Sequence, residues 1–426
     1  MSRRLRALSV IESLKLGVVP DDALEDLSVG CDDLLRLVDD DLAAATSAAP
    51  GGAFRVFEGG YGAGKSHLLD LAEQRALRGG FLVARVAFGS REAAPDRPAD
   101  VYRALIAALR YPSGRERGPG RLLREAGASP EVFRRWTGRQ ALDGPIVEQG
   151  FANHLWLSPA ILGHRLLTQT RLDEGRERLL TWFGGQPAPP PALRRLLGVA
   201  ASRIGIARGF GLAPQIRGIP RWRSVSQIPC YILGGIGCLA RDLGYAGLVL
   251  LLDEGEHFQW LTRRSIGYAI SLARGFRAAA LADVPTEDLP RGGRKNHRLV
   301  PYRFRAHQHL ACFVALAPQA EAGEALSALA AGSRRSSIPP LGAVQLVELA
   351  SRVLDLAIQA DLDSVHLQAY RDLLLRHIDV EASAGRPFPP RRVVKLAAQL
   401  PDLVRAMGET DVDLETFFGY HRAAFG

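Results

Sequence analysis

The 426 residues exceed one ordinary domain, so we expect an elaborated α/β domain or two modules that share an extensive core. Hydrophobic residues make up 47% and charged residues 23%, which excludes a largely disordered chain. The net charge of +9 favours an anionic partner without saying which one.

The four cysteines have no metal-ligand spacing, and no window is apolar for the length of a membrane span. No secretion signal is found in MSRRLRALSVIESL. These observations argue against structural zinc, secretion and a membrane location. We therefore expect a cytoplasmic protein in a reduced compartment.

The first third of the chain predicts a βαβ unit. Residues 4–47 predict two short helices joined at VVPDD. A strand at AFRVFEG, a helix at SHLLDLAEQRALRGG and a buried strand at FLVARVAF then follow in order. The glycine-rich stretch Gly59 to Ser66 lies between the first strand and the helix.

The remainder predicts further strands separated by long helical stretches. Residues 100–230 are mostly helical, with a Pro-rich surface connection at GGQPAPPPALRR. Buried strands are predicted at GLVLLLDE and HLACFVALA, and nearly everything past residue 320 is helical, including a last helix at residues 413–425. The predicted domains are a helical segment at 1–50, a core at 51–320 with an insertion at about 100–230, and a helical lid at 321–426.

Gly59 to Ser66 fits G-x-x-x-x-G-K-S, the pattern of a phosphate-binding loop. Glycines let several backbone N–H groups point inward, and the following helix directs the positive end of its dipole to the same place. Lys65 would contact the β- and γ-phosphates of ATP, and the Ser66 hydroxyl would bind Mg²⁺. The candidate nucleotide-binding residues are Gly59, Gly60, Tyr61, Gly62, Ala63, Gly64, Lys65, Ser66 and His67.

A carboxylate for the metal should end an apolar strand adjacent to the first one, and LVLLLDE supplies it. Asp253 is the candidate Mg²⁺ residue, and Glu254 is the candidate general base for the attacking water. With Lys65, Glu254 is a candidate catalytic residue of an ATPase. Lys65 and Asp253 are far apart in the sequence for residues near adjacent core strands, which predicts a mostly helical insertion between them.

The strand HLACFVALA lacks an obvious polar residue at its end to contact the γ-phosphate. Gln319 or His309 could substitute. Slow turnover, or turnover that needs a partner, is the expected consequence.

Two arginine pairs are the best-placed cations for the γ-phosphate, in the same chain or in a neighbouring one. Arg263 and Arg264 follow the Asp-Glu pair, and Arg391 and Arg392 open a late helix. Arginines in such positions are more often solvated surface residues, and that alternative stays open for both pairs.

Residues 291–305, RGGRKNHRLVPYRFR, combine basic residues with Tyr302 and Phe304. This composition suits a DNA backbone with stacking aromatics, although a charged exposed loop is the alternative. The candidate DNA contacts are Arg291, Arg294, Lys295, Arg298, Arg303 and Arg305.

Several stretches together resemble the BrxC/BrxD family of BREX phage-defence systems, most closely its shorter BrxD branch. They include the I-x-x-L-x-x-G-x-x-P pattern of residues 11–20, the glycine loop, ADVYRALIAALRYP and LARDLGYAGLVLLLDEGE. The resemblance implies an AAA+-like P-loop fold with a parallel sheet, in which Gly59 to Ser66, Asp253 and Glu254 bind ATP and Mg²⁺. It also implies a C-terminal lid that carries Arg391 and Arg392.

The sequence departs from the family pattern in the Arg-rich insertion at 187–225, the extended loop at 281–305 and the Ala-Pro end of the third strand. We expect an ATPase that acts on DNA in an antiphage defence complex. A homo-oligomer is expected, with a helicase or nuclease as a further partner. Two alternatives stay open: a nucleotide-dependent scaffold with negligible hydrolysis, and an ATPase-type transcription regulator.

Overall fold

The computed structural model of the protein describes most of the chain. The described residues are 2–47, 51–89, 92–142, 154–186, 190–206, 216–282, 284–317, 334–360, 362, 364–383 and 389–407. The helix predicted at 413–425 and the candidate sensor Gln319 lie outside these residues.

By their contacts, the residues form two compact units, each with its own hydrophobic core. The first unit comprises Met1–Arg36, Gly59–Leu71 and Ser337–Gly426. The second comprises Leu37–Glu58 and Ala72–Ser336. The predicted boundaries at residues 50 and 320 remain predictions.

The second unit contains a sheet of five strands within the described residues. The strands are β1 (Ala53–Glu58), β2 (Leu82–Ala87), β3 (Leu248–Asp253), β4 (Leu310–Leu316) and β5 (Arg334–Ser337). Their order across the sheet is β2-β3-β4-β1-β5, and β2, β3, β4 and β1 run parallel. Every residue of β3 and β4 is buried, as expected for central strands covered on both faces. The predicted α/β class with a parallel sheet is confirmed.

Two features of the sheet differ from the sequence prediction. We expected β3 beside β1, but β4 lies between them. The strand β5 was missed, because its sequence RRSS is exposed and has no apolar residue to indicate a strand. It is an edge strand, and its Arg334 binds the buried carboxylate of Asp41 at 2.6 Å.

Arg55 of β1 is buried and forms hydrogen bonds to residues outside the strand. Its Nε donates to Asp41 at 2.5 Å, and its Nη1 donates to Ser336 at 3.0 Å. A buried guanidinium needs such partners, because an unpaired charge in the interior is costly. The Asp41 carboxylate therefore ties β1 and β5 to α2.

Between β2 and β3 the chain forms the predicted helical insertion, which packs on the sheet through a large apolar core. Its helices are α4 (Pro98–Ala107), α5 (Gly120–Ala128), α6 (Pro130–Thr137), α7 (Leu157–Gln169), α8 (Asp173–Phe183), α9 (Pro190–Arg203) and α10 (Gln227–Asp242). After β3 come a 3₁₀ helix (Gly255–Trp260), α11 (Arg263–Ala280) and the short α12 (Lys295–Arg298). α10 and α11 contact the sheet.

The first unit is helical. Its core joins α1 (Arg3–Lys15) to α13 (Ala343–Gln359), α14 (Ser364–Ser383) and α15 (Pro390–Met407). Apolar side chains such as Val10, Leu14, Val353 and Leu396 are fully buried there. The helices α2 (Asp32–Thr46) and α3 (Lys65–Arg78) each run from this unit into the other.

Candidate ATP site

The glycine loop is formed by the residues between β1 and α3. Gly62 and Gly64 have φ angles of +77° and +91°, which L side chains rarely adopt, so these two positions require glycine. The Ala63 N–H donates to the Gly60 carbonyl at 3.2 Å and closes the turn. A Cβ added to Gly60 or Gly64 would meet nothing within 4 Å, which leaves open space at the loop.

Lys65, the first residue of α3, points its side chain into the loop. It is only 8% exposed, and its Nζ donates to the carbonyls of Gly59 and Gly60, at 3.1 Å each. Both acceptors are neutral. Phosphate oxygens are stronger acceptors for an ammonium group, so a phosphate in the loop would replace these carbonyls favourably.

Other loop residues differ in exposure. Tyr61 is 89% exposed, and Ser66 is exposed in the first turn of α3. The ring of His67 lies against Ser28, with Nε2 2.9 Å from the hydroxyl oxygen. Burial lowers the pKa of His67, so its ring stays neutral at pH 7. The ring therefore carries no positive charge to attract phosphate, and its Nε2 already contacts Ser28.

The start of α15 lies next to the glycine loop within the first unit. A Cβ built on Gly62 would be 3.1 Å from the Cβ of Pro389, the residue just before α15. Arg391 and Arg392 follow in the first helical turn, and both are exposed. The Arg391 guanidinium also lies over Gly17, 3.3 Å from a Cβ built there. The sequence could not show this, since the residues are more than 300 positions apart.

The two candidate carboxylates, Asp253 and Glu254, belong to the second unit. Asp253 ends β3 and is 5% exposed. In the strand register, Leu252 lies beside Val314 of β4, and Glu58 at the end of β1 lies beside Leu316. The carboxyl ends of β1 and β3 therefore share one edge of the sheet, about 10 Å apart because β4 lies between them.

Asp253 already has a cationic partner that sequence reasoning missed. Its Oδ2 accepts from Arg85 of β2 at 2.8 Å, and its Oδ1 accepts from the Glu254 N–H at 2.9 Å. Arg85 is also 3.7 Å from Glu73 of α3, which in turn binds Arg110 at 2.6 Å. The result is a chain of alternating charges. The alternation of side chains along β2 indicates on which face of the sheet Arg85 lies. It does not indicate that Arg85 pairs with Asp253 of β3.

Glu254 differs from Asp253 in both backbone and surroundings. Its φ of 54° and ψ of 43° are left-handed, which is uncommon for a residue that is not glycine. Its side chain is 54% exposed, and its Oε2 is 3.3 Å from Nε2 of His257 in the 3₁₀ helix. The proposed general base is thus accessible to water and close to one imidazole ring.

The residues predicted to contact the γ-phosphate lie in different places in the structure. The end of β4, Ala315 and Leu316, is buried and apolar. The alternative His309 precedes β4, so a strand of seven residues, about 20 Å, separates it from the edge that carries Asp253. That substitution was therefore wrong. Arg263 and Arg264 are exposed in the first turn of α11 and remain predictions.

The predicted DNA loop is only partly available to a ligand. Tyr302 is fully buried, with its hydroxyl bonded to the Pro290 carbonyl, and Phe304 packs 4.8 Å from the His154 ring and 5.4 Å from Trp136. The prediction that these two aromatics stack on bases was therefore wrong: Tyr302 is a core residue, and Phe304 is partly buried and packs against the core.

Two of the six basic candidates are also used within the protein. Arg303 donates to the backbone carbonyls of Leu281, Ala282 and Val284. Arg305 lies 3.7 Å from Asp242 and over the Trp136 ring. The exposed candidates are Arg291, Arg294, Lys295 and Arg298.

Comparison with known proteins gives one result beyond the geometry. Residues 2–122 match the family model of the BREX system ATP-binding protein BrxC/D. No curated protein and no solved structure matches the chain. Among the described helices, none is long and apolar enough to cross a bilayer. The match over residues 2–122 supports a relation to the BrxC/BrxD family of BREX-system ATP-binding proteins and does not resolve the branch of that family.

Proposed function

We propose that this ATP-binding protein hydrolyses ATP and acts on DNA within a defence complex. One observation carries the proposal: the glycine loop follows β1, Asp253 and Glu254 end β3, and both strands end at the same edge of one parallel sheet. Ligands of open α/β sheets bind at the carboxyl ends of the strands. The family description supports the ATP-binding part.

In this proposal the loop residues Gly59 to His67 bind the phosphates through backbone N–H groups, and Lys65 exchanges its two carbonyl acceptors for phosphate oxygens. Ser66 and Asp253 would bind Mg²⁺, which would neutralise charge on the β- and γ-phosphates. Glu254 accepts the proton of the attacking water, for which its exposed carboxylate is suited.

Arg85 gives a physical reason for slow turnover. Asp253 can bind a metal fully only when its contact with Arg85 weakens, and Arg85 has Glu73 as a second partner within reach. The metal site therefore competes with a buried ion pair. We propose that a partner or DNA stimulates hydrolysis, and that Arg391 and Arg392 act in a lid or toward a neighbouring subunit of an oligomer.

A second function, a nucleotide-dependent scaffold with negligible hydrolysis, is favoured by the apolar end of β4. Single-turnover hydrolysis of radiolabelled ATP, with and without DNA, separates the two. Phosphate release that Glu254→Gln abolishes supports the ATPase. Stable binding of ATP without phosphate release under every condition would leave the scaffold.

A further inference from the structure

Trp222 is an exposed aromatic residue outside the predicted DNA loop. It is 42% exposed, whereas Trp136, Trp156 and Trp182 are buried. Its ring centroid lies 5.9 Å from that of His297, and the Arg294 guanidinium lies 6.0 Å from its centroid. The fold thus brings residues 216–224 against residues 291–298, which are about 70 positions apart in the sequence.

Hydrogen bonds fix this arrangement. The Gln227 side chain donates to the carbonyls of Gly292 at 2.9 Å and His297 at 3.3 Å. The Arg298 Nε donates to the Gly293 carbonyl at 3.0 Å. Arg223, next to Trp222, binds the buried Asp96 at 2.9 Å. Trp222 is therefore held beside the basic loop by residues on both sides of it.

The charged residues of the two segments all have the same sign. Residues 216–224 and 291–298 contain seven Arg or Lys residues and no Asp or Glu. One of them, Arg223, pairs with Asp96, and the others leave a net positive surface. Burial, with smaller effects of Arg217 and Arg294, lowers the pKa of His297, so His297 contributes a ring rather than a charge at pH 7.

We propose that this Trp222 surface, comprising Trp222, Arg217, Arg221, Arg291, Arg294, Lys295 and Arg298, binds single-stranded DNA. An exposed indole beside several cations suits a flexible polyanion with unpaired bases, because every base offers a face for stacking and every phosphate a charge for arginine. In a duplex the base faces are covered by their neighbours, so Trp222 would have no partner. The proposal rests on the proposed action on DNA, and it assigns the stacking role that Tyr302 and Phe304 cannot fill.

The first test removes the ring. Trp222→Ala should weaken binding of a labelled oligothymidylate by about five- to a hundredfold, the range that loss of one stacked base implies. Trp222→Phe should restore most of the affinity, since it keeps an aromatic face. Trp260→Ala is the matched control, because Trp260 is also exposed but lies in the 3₁₀ helix after β3. Fluorescence anisotropy of the oligonucleotide, without nucleotide, measures each affinity.

The second test removes charge. The triple variant Arg294→Ala/Lys295→Ala/Arg298→Ala should reduce the salt dependence of binding by about two log units of affinity per log unit of salt, at roughly 0.7 per phosphate contact. A control that removes three exposed arginines elsewhere, Arg36, Arg178 and Arg405, should leave the slope unchanged.

The outcomes distinguish the two proposals. Wild-type protein that binds neither single-stranded nor duplex DNA, with or without ATP, overturns the proposed action on DNA. Single-stranded binding that Trp222→Ala does not weaken, or equal affinity for a duplex, overturns only the assignment of this surface. Binding of an acidic polypeptide in place of the oligonucleotide would overturn it as well.

Discussion

Two charged residues with proposed roles in ATP use, Lys65 and Asp253, are held by partners of different kinds. Lys65 donates to two neutral carbonyls of its own loop, whereas Asp253 accepts from the full positive charge of Arg85. Exchanging a carbonyl for a phosphate oxygen strengthens the bond to Lys65, but a metal ion at Asp253 has to displace part of an ion pair. If both residues have the proposed roles, we expect binding of ATP and its turnover to be controlled separately.

The largest effect is expected from removing the lysine of the glycine loop. Lys65→Ala should lower ATP affinity by about a hundredfold or more, because charge-assisted hydrogen bonds are worth roughly 1.5–3 kcal/mol each and Lys65 is expected to make two. Isothermal titration calorimetry with ATP and Mg²⁺ measures the loss. Lys15→Ala is the control, since Lys15 pairs with Glu12 and Asp402 away from the loop. Unchanged affinity would remove the loop from the site.

The next effect separates turnover from binding. Glu254→Gln should keep ATP affinity and reduce single-turnover hydrolysis by about 10²- to 10⁴-fold, the usual contribution of a general base. Glu131→Gln, an equally conservative change at an exposed position of α6, should leave the rate unchanged. A normal rate of hydrolysis in the Glu254→Gln variant contradicts the assignment.

The third prediction concerns the start of α15, which lies beside Gly62. Arg391→Ala/Arg392→Ala should reduce hydrolysis by about tenfold or more, because an arginine stabilises charge on the transferred phosphoryl group. Arg405→Ala, at the other end of the same helix, controls for lost charge. If both variants retain full activity, the lid assignment is wrong.

A smaller effect tests the competition at Asp253 directly. Arg85→Met should lower the Mg²⁺ concentration needed for half-maximal ATP hydrolysis severalfold, because the buried carboxylate loses its competing cation. Without Mg²⁺ the same variant should unfold more easily, by about 1–3 kcal/mol, since Asp253 and Glu73 lose a partner.

Arg75→Met is the control for Arg85→Met, because Arg75 of α3 pairs with the exposed Asp39. Thermal unfolding with and without Mg²⁺, together with a magnesium titration of activity, gives both quantities. A raised requirement for Mg²⁺ in the Arg85→Met variant would mean that Arg85 supports the metal site instead of competing with it.

The smallest effect is expected at His67. His67→Ala should leave ATP affinity within about twofold, because the ring lies against Ser28 and carries no charge to attract phosphate. The fold should lose about 1 kcal/mol with that hydrogen bond. Calorimetry at pH 6.5 and 8 should give the same affinity for the variant and the wild type. A large loss in affinity would place the ring on the nucleotide.

Local patterns were enough to predict much of the fold and part of the site. Consecutive apolar residues predicted β3 and β4, and glycine spacing predicted the loop between β1 and α3. These features depend on neighbours in the sequence. The proposed roles of Lys65, Ser66, Asp253 and Glu254 remain to be tested.

The features that were not predicted from the sequence depend on contacts between residues far apart in the chain. The position of β4 between β1 and β3 is a property of the sheet, and the pairing of Arg85 with Asp253 follows from it and from β2. Tyr302 and Phe304 resemble exposed stacking residues in a basic loop because the residues they contact, Ser226 and Trp136, come from distant parts of the sequence. Only four of the 54 basic residues are lysines, so arginines are frequent along the chain. Nothing in the local sequence distinguishes Arg85 from the other arginines.

The left-handed backbone at Glu254 has an evolutionary consequence. A residue with a β-carbon carries a conformational cost of about 1–2 kcal/mol in that region, which glycine avoids and asparagine reduces. If Glu254 has the proposed role, selection for ATP hydrolysis would keep a glutamate there. A descendant that had abandoned hydrolysis would be released from this constraint, and glycine or asparagine at the position would record the loss.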